Sequence, residues 1–195
     1  MTGLPEMKIF AIADIHENEK LMDRVAARDA AGDYDVLLLA GDIAYSREKR
    51  SWVESLSHET ILIPGNWDGG PLFDEPPAGA HIHKLRSGLV KIGGVDFLCF
   101  GDYNLDIGKR GVELSANSRK EKLVLVTHYN PFQLRDGRVD ENSGYRQVLR
   151  LLRELEPAVH AFGHDHEGAG ECSYGPTRCF NVSAALGGAG TLFEI

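Results

Sequence analysis

The 195-residue sequence predicts an α/β fold built around a largely parallel sheet with crossover helices. Three observations carry that prediction. Short, almost wholly apolar runs recur along the chain, which suits strands buried on both faces. Stretches with apolar residues at helical spacing lie between several of them. Five of the runs end in a residue able to bind a metal, at the strand end where open sheets of this kind place their ligands.

Taken in order, residues 9–13 (IFAIA) form the first run, with Asp14 directly after it and His16 two residues on. Leu21, Met22, Val25 and Ala26 make one buried helical stripe, and Gly32 is suited to stop it. Residues 36–40 (VLLLA) lead to Gly41-Asp42, and Trp52, Val53 and Leu56 predict a second, shorter helix. Residues 61–63 lead through Pro64-Gly65 to Asn66. Residues 88–92 and 95–100 flank Gly93-Gly94 and read as a hairpin. Residues 123–127 (LVLVT) are followed by His128. Tyr145, Val148, Leu149, Leu152 and Leu155 share a helical face that Pro157 closes. Residues 158–162 lead to Gly163-His164-Asp165-His166. Residues 171–174, 178–182 and 191–195 are further strands, the last preceded by a turn at Gly187-Gly188. No internal repeat or linker-like composition shift divides the chain, so residues 1–195 read as a single domain.

The bulk numbers narrow the function. The chain is 43% hydrophobic and 26% charged, as in ordinary globular proteins, and its formal net charge is −8. That charge argues against an extensive nucleic-acid surface or a basic membrane-binding face, but not against a small anion drawn to a local positive centre. No apolar stretch reaches membrane-spanning length, and the first residues lack the basic and long apolar regions of a secretory signal; the expectation is a cytoplasmic protein with no membrane partner. Cys172 and Cys179 face each other across a hairpin at Gly175-Pro176, and thiols rather than a disulfide are expected in that compartment.

Asp14, His16, Asp42, Asn66, His128, His164 and His166 would converge on one sheet edge. A lone Asp after a strand is usually a cap, and a lone His an ordinary residue. Five such coincidences at one structural position point instead to a metal site. Carboxylate, imidazole and carboxamide ligands without thiolate suit manganese, iron, zinc or nickel better than calcium or magnesium. Seven ligands are too many for one ion with an open position and suit two divalent ions sharing a carboxylate.

Asp14-x-His16, Gly41-Asp42, Gly65-Asn66-x-Asp68, His128 and Gly163-His164-x-His166 resemble, in order and spacing, the five motifs of the calcineurin-like metallophosphoesterases. The resemblance implies a four-layer α-β-β-α sandwich of two mixed sheets, the hairpin and the last three strands supplying the second sheet. It implies that Asp14, His16 and His166 hold one metal, that Asn66, His128 and His164 hold the other, and that Asp42 bridges them, with manganese the first choice. Asp42, Asn66 and His128 would be catalytic, and a metal-bridging hydroxide would attack a small phosphate ester, nucleotides included. Two divalent ions, two carboxylates and a hydroxide leave about +1 on such a cluster, which attracts phosphate.

The third motif departs from the commonest form. Where the family usually has a His, assigned to transition-state stabilisation or leaving-group protonation, this chain has Trp67, and an indole N–H is no general acid near neutral pH. The resemblance to small bacterial and archaeal phosphodiesterases that also lack this His favours diester over monoester hydrolysis. The alternative is a metal-binding scaffold for a protein partner, as in a retromer subunit of the same fold. Asn66, Trp67, Tyr129 and Asn130 are expected to meet substrate, and Asp68 to orient a metal-bound His or cap the following turn. Gly65 is expected to permit a sharp turn. Residues 132–144 read as a polar connector near the site, in which Arg135 or Arg138 would reach a phosphate or simply face solvent. His58, His81, His83 and His160 read as surface or packing residues. The oligomeric state is left open.

Overall fold

The computed structural model describes residues 6–46, 49–68, 70–77, 79–101, 107–131 and 146–195. Residues 102–104, the 132–144 connector with Arg135 and Arg138, and Tyr145 lie outside the described residues. The elements are β1 (Lys8–Ile12), α1 (Glu19–Ala31), β2 (Val36–Ala40), α2 (Arg50–Glu54), β3 (Glu59–Ile63), α3 (Gly70–Asp74), β4 (Ile82–Lys84), β5 (Ser87–Ile92), β6 (Val95–Phe100), α4 (Ile107–Leu114), β7 (Leu123–Thr127), α5 (Arg146–Leu155), β8 (Val159–Phe162), β9 (Gly170–Tyr174), β10 (Thr177–Asn181) and β11 (Thr191–Glu194).

The strands form two mixed sheets, ordered β11-β1-β2-β3-β4 and β5-β6-β7-β8-β10-β9. In the first, β1 to β4 run parallel and β11 is antiparallel; in the second, β6, β7, β8 and β10 run parallel between antiparallel β5 and β9. The two mixed sheets implied by the resemblance are thus present, and the apolar runs lie in their parallel stretches. The five apolar runs divide three to two between the sheets, because a run buried on both faces reads the same whichever sheet it joins. The placement of residues 191–195 in the second sheet is corrected. They pair with β1 in the first sheet, while Phe193 reaches across to stack on Phe180 of β10 at 4.6 Å.

Side-chain parity builds the layers. Ile9 and Ala11 of β1 and Val36 and Leu38 of β2 face Phe97, Val124, Val126 and Ala161 of the other sheet. Phe10, Ile12, Leu37 and Leu39 point the other way, onto Leu21, Met22 and Val25 of α1 and Val53 of α2. On the far side, Leu98 and Leu125 pack beneath Ile107 of α4 and Val148, Leu149 and Leu152 of α5. Both faces of both sheets are thus covered. α1 starts at Asn18, whose side chain accepts from the Lys20 and Leu21 amides, and stops at Gly32 in the left-handed conformation.

The histidines outside the sheet edge are tied into the fabric. His58 Nδ1 lies 2.9 Å from Asp29, His81 Nε2 2.8 Å from the Leu56 carbonyl, and His83 Nε2 2.8 Å from Glu59. Cys172 and Cys179 stand opposite each other in the β9–β10 pair as free thiols.

His160 is fully buried on β8. The Thr127 hydroxyl proton goes to the Tyr129 carbonyl at 2.7 Å, so His160 Nε2–H donates to Thr127 Oγ1 at 2.9 Å and Nδ1 is an unprotonated acceptor with no partner among the described residues. Burial pushes this imidazole down to about 3. An unfolded chain takes up the proton near pH 6.5, so between about 6.5 and 3 it binds a proton that the folded protein refuses. His160 thus leaves stability untouched above that window and lowers it as the pH falls through it. His160→Leu is expected to remove about 2 kcal/mol of the stability lost between pH 7 and pH 5, read by urea unfolding at the two pH values. An unchanged loss would mean that this imidazole is not held neutral.

Candidate metal centre

The carboxyl ends of β1, β2, β3, β7 and β8 meet at one edge of the sandwich. The two sheets are joined there by a bridge between Ala13 and Ser183, with Ala13 N–H donating to the Val182 carbonyl at 3.0 Å. The ladder between β1 and β2 continues past the strands. Asp14 N–H donates to Gly41 O, His16 N–H to Asp42 O and Glu17 N–H to Ile43 O, at 2.9–3.0 Å. These bonds hold an unusual backbone. Asp14 (φ 57°), His16 (48°), Glu17 (56°), Asp42 (55°) and His164 (69°) are all left-handed non-glycine residues. Each such residue costs on the order of 1 kcal/mol, and such strain clusters where geometry serves a site.

Two glycines make the approach of the loops possible. Gly41 sits at φ 91°, and a Cβ there would collide with the His128 ring. Gly65 does not adopt a left-handed φ. What it supplies is room, because a Cβ would run into the carboxylate and backbone nitrogen of Asp42.

The structure brings all seven predicted ligands together. Asp14 Oδ1 lies 3.3 Å from His166 Nε2, which lies 3.4 Å from His16 Nε2. Asn66 Oδ1 lies 3.0 Å from both His128 Nε2 and His164 Nδ1. Between the two groups, Asp42 Oδ2 is 3.4 Å from His128 Nε2 and 4.0 Å from His16 Nε2. Ligand atoms of Asp14, His16 and His166, and of Asp14, Asp42 and His128, fall within 4.8 Å of one another. Asp14, Asp42 and His128 form a buried floor, whereas Asn66 and His164 are exposed at the rim.

This donor set fits a cation. His128 Nδ1 is 3.0 Å from the Ala40 carbonyl, so its proton belongs on that nitrogen and Nε2 presents a lone pair. That lone pair faces two further acceptors, Asn66 Oδ1 and Asp42 Oδ2. Asp14 Oδ1 is buried with no hydrogen-bond partner among the described residues. The electron pairs of His128 Nε2, Asn66 Oδ1, Asp42 Oδ2 and Asp14 Oδ1 crowd into one space and suit a positive charge there. The imidazoles register the same field. Burial alone would lower the basicity of His128, but contact with Asp42 and the charge of Asp14 outweigh it and raise it. Burial opposes the Asp42 carboxylate, yet His128, the Trp67 amide and His16 hold it below the usual range. At the rim, burial and the neighbouring His128 lower His164.

Asp68 does something the sequence reading missed. Its Oδ2 accepts from the amides of Asp42 and Gly65 at 2.7 Å each, and its Oδ1 from Ile43 and Ala44 at 2.8 and 2.9 Å. Among the described residues its partners are these four amides, and it ties the β2 loop to the β3 loop. Burial pushes its carboxyl up, against the pull of those amides, and the charge of Asp42 adds to the rise. Four backbone donors leave no trace in side-chain patterning, which is why spacing did not reveal this role.

Tyr129 is half-buried, its ring 4.7 Å from that of His164, and Asn130 is only 4% exposed, leaving little of it for a substrate. Trp67 is 59% exposed, edge-on to His16 at 5.6 Å, and its amide donates to Asp42 Oδ1 at 2.7 Å. A cavity of about 560 Å³ lies at the opposite end of β1 and β2, lined by Met7, Lys8, Tyr34 and Asp35. It contains none of the converging ligands.

Two helix-flanked sheets with imidazoles and carboxylates gathered at their carboxyl edge define an α/β protein built to hold metal. The chain belongs to the calcineurin-like phosphoesterase family, whose sequence model matches residues 7–168, and is by class a phosphoric ester hydrolase. It is 27% identical over 214 residues to the UPF0046 protein K07C11.7 of Caenorhabditis elegans, an alignment covering 93% of this chain and 71% of that one. Its fold matches that of TT1561 from Thermus thermophilus with a TM-score of 0.73 at 13% identity, over 94% of this chain and 92% of the other. It also matches an archaeal phosphodiesterase with a TM-score of 0.60 at 15% identity, over 97% and 100% of the two chains.

Proposed function

We propose that the chain hydrolyses phosphate esters at a two-metal centre. Asp14, His16 and His166 would hold one ion, Asn66, His128 and His164 the other, and Asp42 both. The observation that carries this reading is the position of Asp42 Oδ2, which lies between the two imidazole groups while Oδ1 is taken by the Trp67 amide. Two divalent ions, manganese first and iron, zinc or nickel otherwise, would supply Lewis acidity and an acidified water for attack on phosphorus.

The protein's own groups do the positioning. Ala40 fixes the His128 tautomer, the His164 amide donates to Asp14 Oδ2 at 3.0 Å, and Asp68 clamps the loops that carry Asp42 and Asn66. Asn66 and His164 at the rim are where a phosphoryl oxygen would approach. Trp67 supplies no proton to a leaving group, which favours esters whose leaving groups need little help, and so diesters over monoesters. Tyr45 and Trp67, exposed and with ring centroids 6.4 Å apart, border the metal centre rather than a separate face.

The test is hydrolysis of bis-p-nitrophenyl phosphate and p-nitrophenyl phosphate by protein stripped of metal and reloaded with manganese, nickel, zinc or magnesium. Metal-dependent turnover with the diester faster is expected. Turnover with neither ester under any metal would overturn the reading.

A further inference from the structure

We propose that Trp67 and Tyr45 form a stacking platform at the lip of the metal centre, and that the substrates are phosphate esters carrying a flat aromatic ring, nucleoside phosphates above all. This deepens the hydrolase reading and rests on it. An exposed Trp or Tyr by itself means little, since much of any protein surface is apolar. Here two stand together, 59% and 53% exposed, with ring centroids 6.4 Å apart and planes inclined by 51°. Trp67 in turn meets His16 edge-on at 5.6 Å. The indole is therefore one imidazole ring away from the metal-binding atoms, a span that the sugar of a nucleotide bridges.

The platform is also held in place. The Trp67 amide is bound to Asp42 Oδ1. The Tyr45 and Ser46 amides both donate to Glu17 Oε1, at 3.2 and 2.7 Å. Glu17 is itself one of the left-handed residues of the β1 loop, and Asp68 binds the two amides just before Tyr45. Anchored main chain beneath exposed rings gives contact area at little entropic cost. The opposite wall is different, because the Tyr129 ring is already packed on His164. Recognition through uncharged π faces accepts purines and pyrimidines alike. It also explains why a bulky indole stands at a position where an acid-base residue would be of chemical use: it binds the ring and contributes no proton.

The test needs Trp67 as the only indole. Trp52, whose Nε1–H donates to the Met22 carbonyl at 3.2 Å, is replaced in a Trp52→Phe background. Zinc-loaded protein is then titrated with adenosine 5′-monophosphate and with ribose 5-phosphate, following indole emission. Saturable quenching by the nucleotide, absent with the sugar phosphate, is expected, and Tyr45→Ala should weaken it about fivefold. In parallel, Trp67→Ala should lower the ratio of kcat/KM for an aryl phosphodiester over an alkyl one by about tenfold, mostly through KM. Equal responses to the two ligands, no response to either, or an unchanged ratio would overturn the platform. Turnover with an unchanged ratio would leave the hydrolase reading standing without it. Quenching without any turnover would do the reverse.

Discussion

Asp42→Ala is expected to abolish metal-dependent turnover, lowering kcat for bis-p-nitrophenyl phosphate by more than about a hundredfold, beyond what loss of a supporting contact around a metal costs. The reason is geometric. Oδ2 is the oxygen placed between His16 and His128, 4.0 and 3.4 Å from their Nε2 atoms. Metal content should fall with it, from two ions per chain to one or none, as measured on dialysed protein. Asp42→Asn sharpens the comparison. The amide oxygen can still accept from the Trp67 N–H, so the β3 loop stays where it is. The new NH₂, however, would point donors at the imidazole nitrogens. Asparagine should therefore be as inactive as alanine while unfolding at a temperature closer to the parent. An active Asp42→Asn protein would remove the carboxylate from the proposed centre.

The largest effect on stability is expected at Asp68. Asp68→Ala strands four backbone amides from two loops. A hydrogen bond to a charged acceptor is worth about 1.5–3 kcal/mol and water will repair part of the loss, so a net cost of about 3 kcal/mol is reasonable. For a chain of this size that is a fall of roughly 10 °C in Tm by calorimetry. Metal affinity should drop by about 10–100-fold, because Asp42 and Asn66 sit on the released loops. Asparagine decides between this role and turn capping. As a cap, Asn is as good as Asp. As a clamp it fails, since each oxygen of Asp68 accepts two amides and an NH₂ would face a pair of N–H groups. Asp68→Asn should be no more stable than Asp68→Ala. Rescue by asparagine would return Asp68 to a capping role.

The strands and the ligands were readable because one rule produced both: an apolar run long enough to be buried on two faces, then a polar residue where the strand leaves the sheet. That rule says nothing of how runs are shared between sheets, so the division of β1–β3 from β7–β8 and the partner of β11 came only with the fold. α4 was hidden for a different reason. Gly108 and Gly111 weaken its helical signature, yet a Cβ at Gly111 would press on Leu151 of α5, so the glycine that disguises the helix lets it pack. β4 is three residues long, too short for an alternation to register. Among the site residues, those that contribute side chains toward the metals stood out by spacing. The backbone-holding role of Asp68 did not, although the residue itself lies in the third motif, and Glu17 passed unnoticed, because their partners are amides that every residue possesses.

The sharing of ligands between the sheets has a mechanical consequence. The first sheet carries Asp14, His16, Asp42 and Asn66, and the second carries His128, His164 and His166. Asn66 meets His128 across 62 residues of chain, and the His164 amide meets Asp14 across 150. Ions bound there would clasp the halves of the sandwich at the end where its strained loops lie. Since a split site exists only once both halves have docked, ligand binding would favour the folded chain alone, and occupancy would set how tightly the edge is shut.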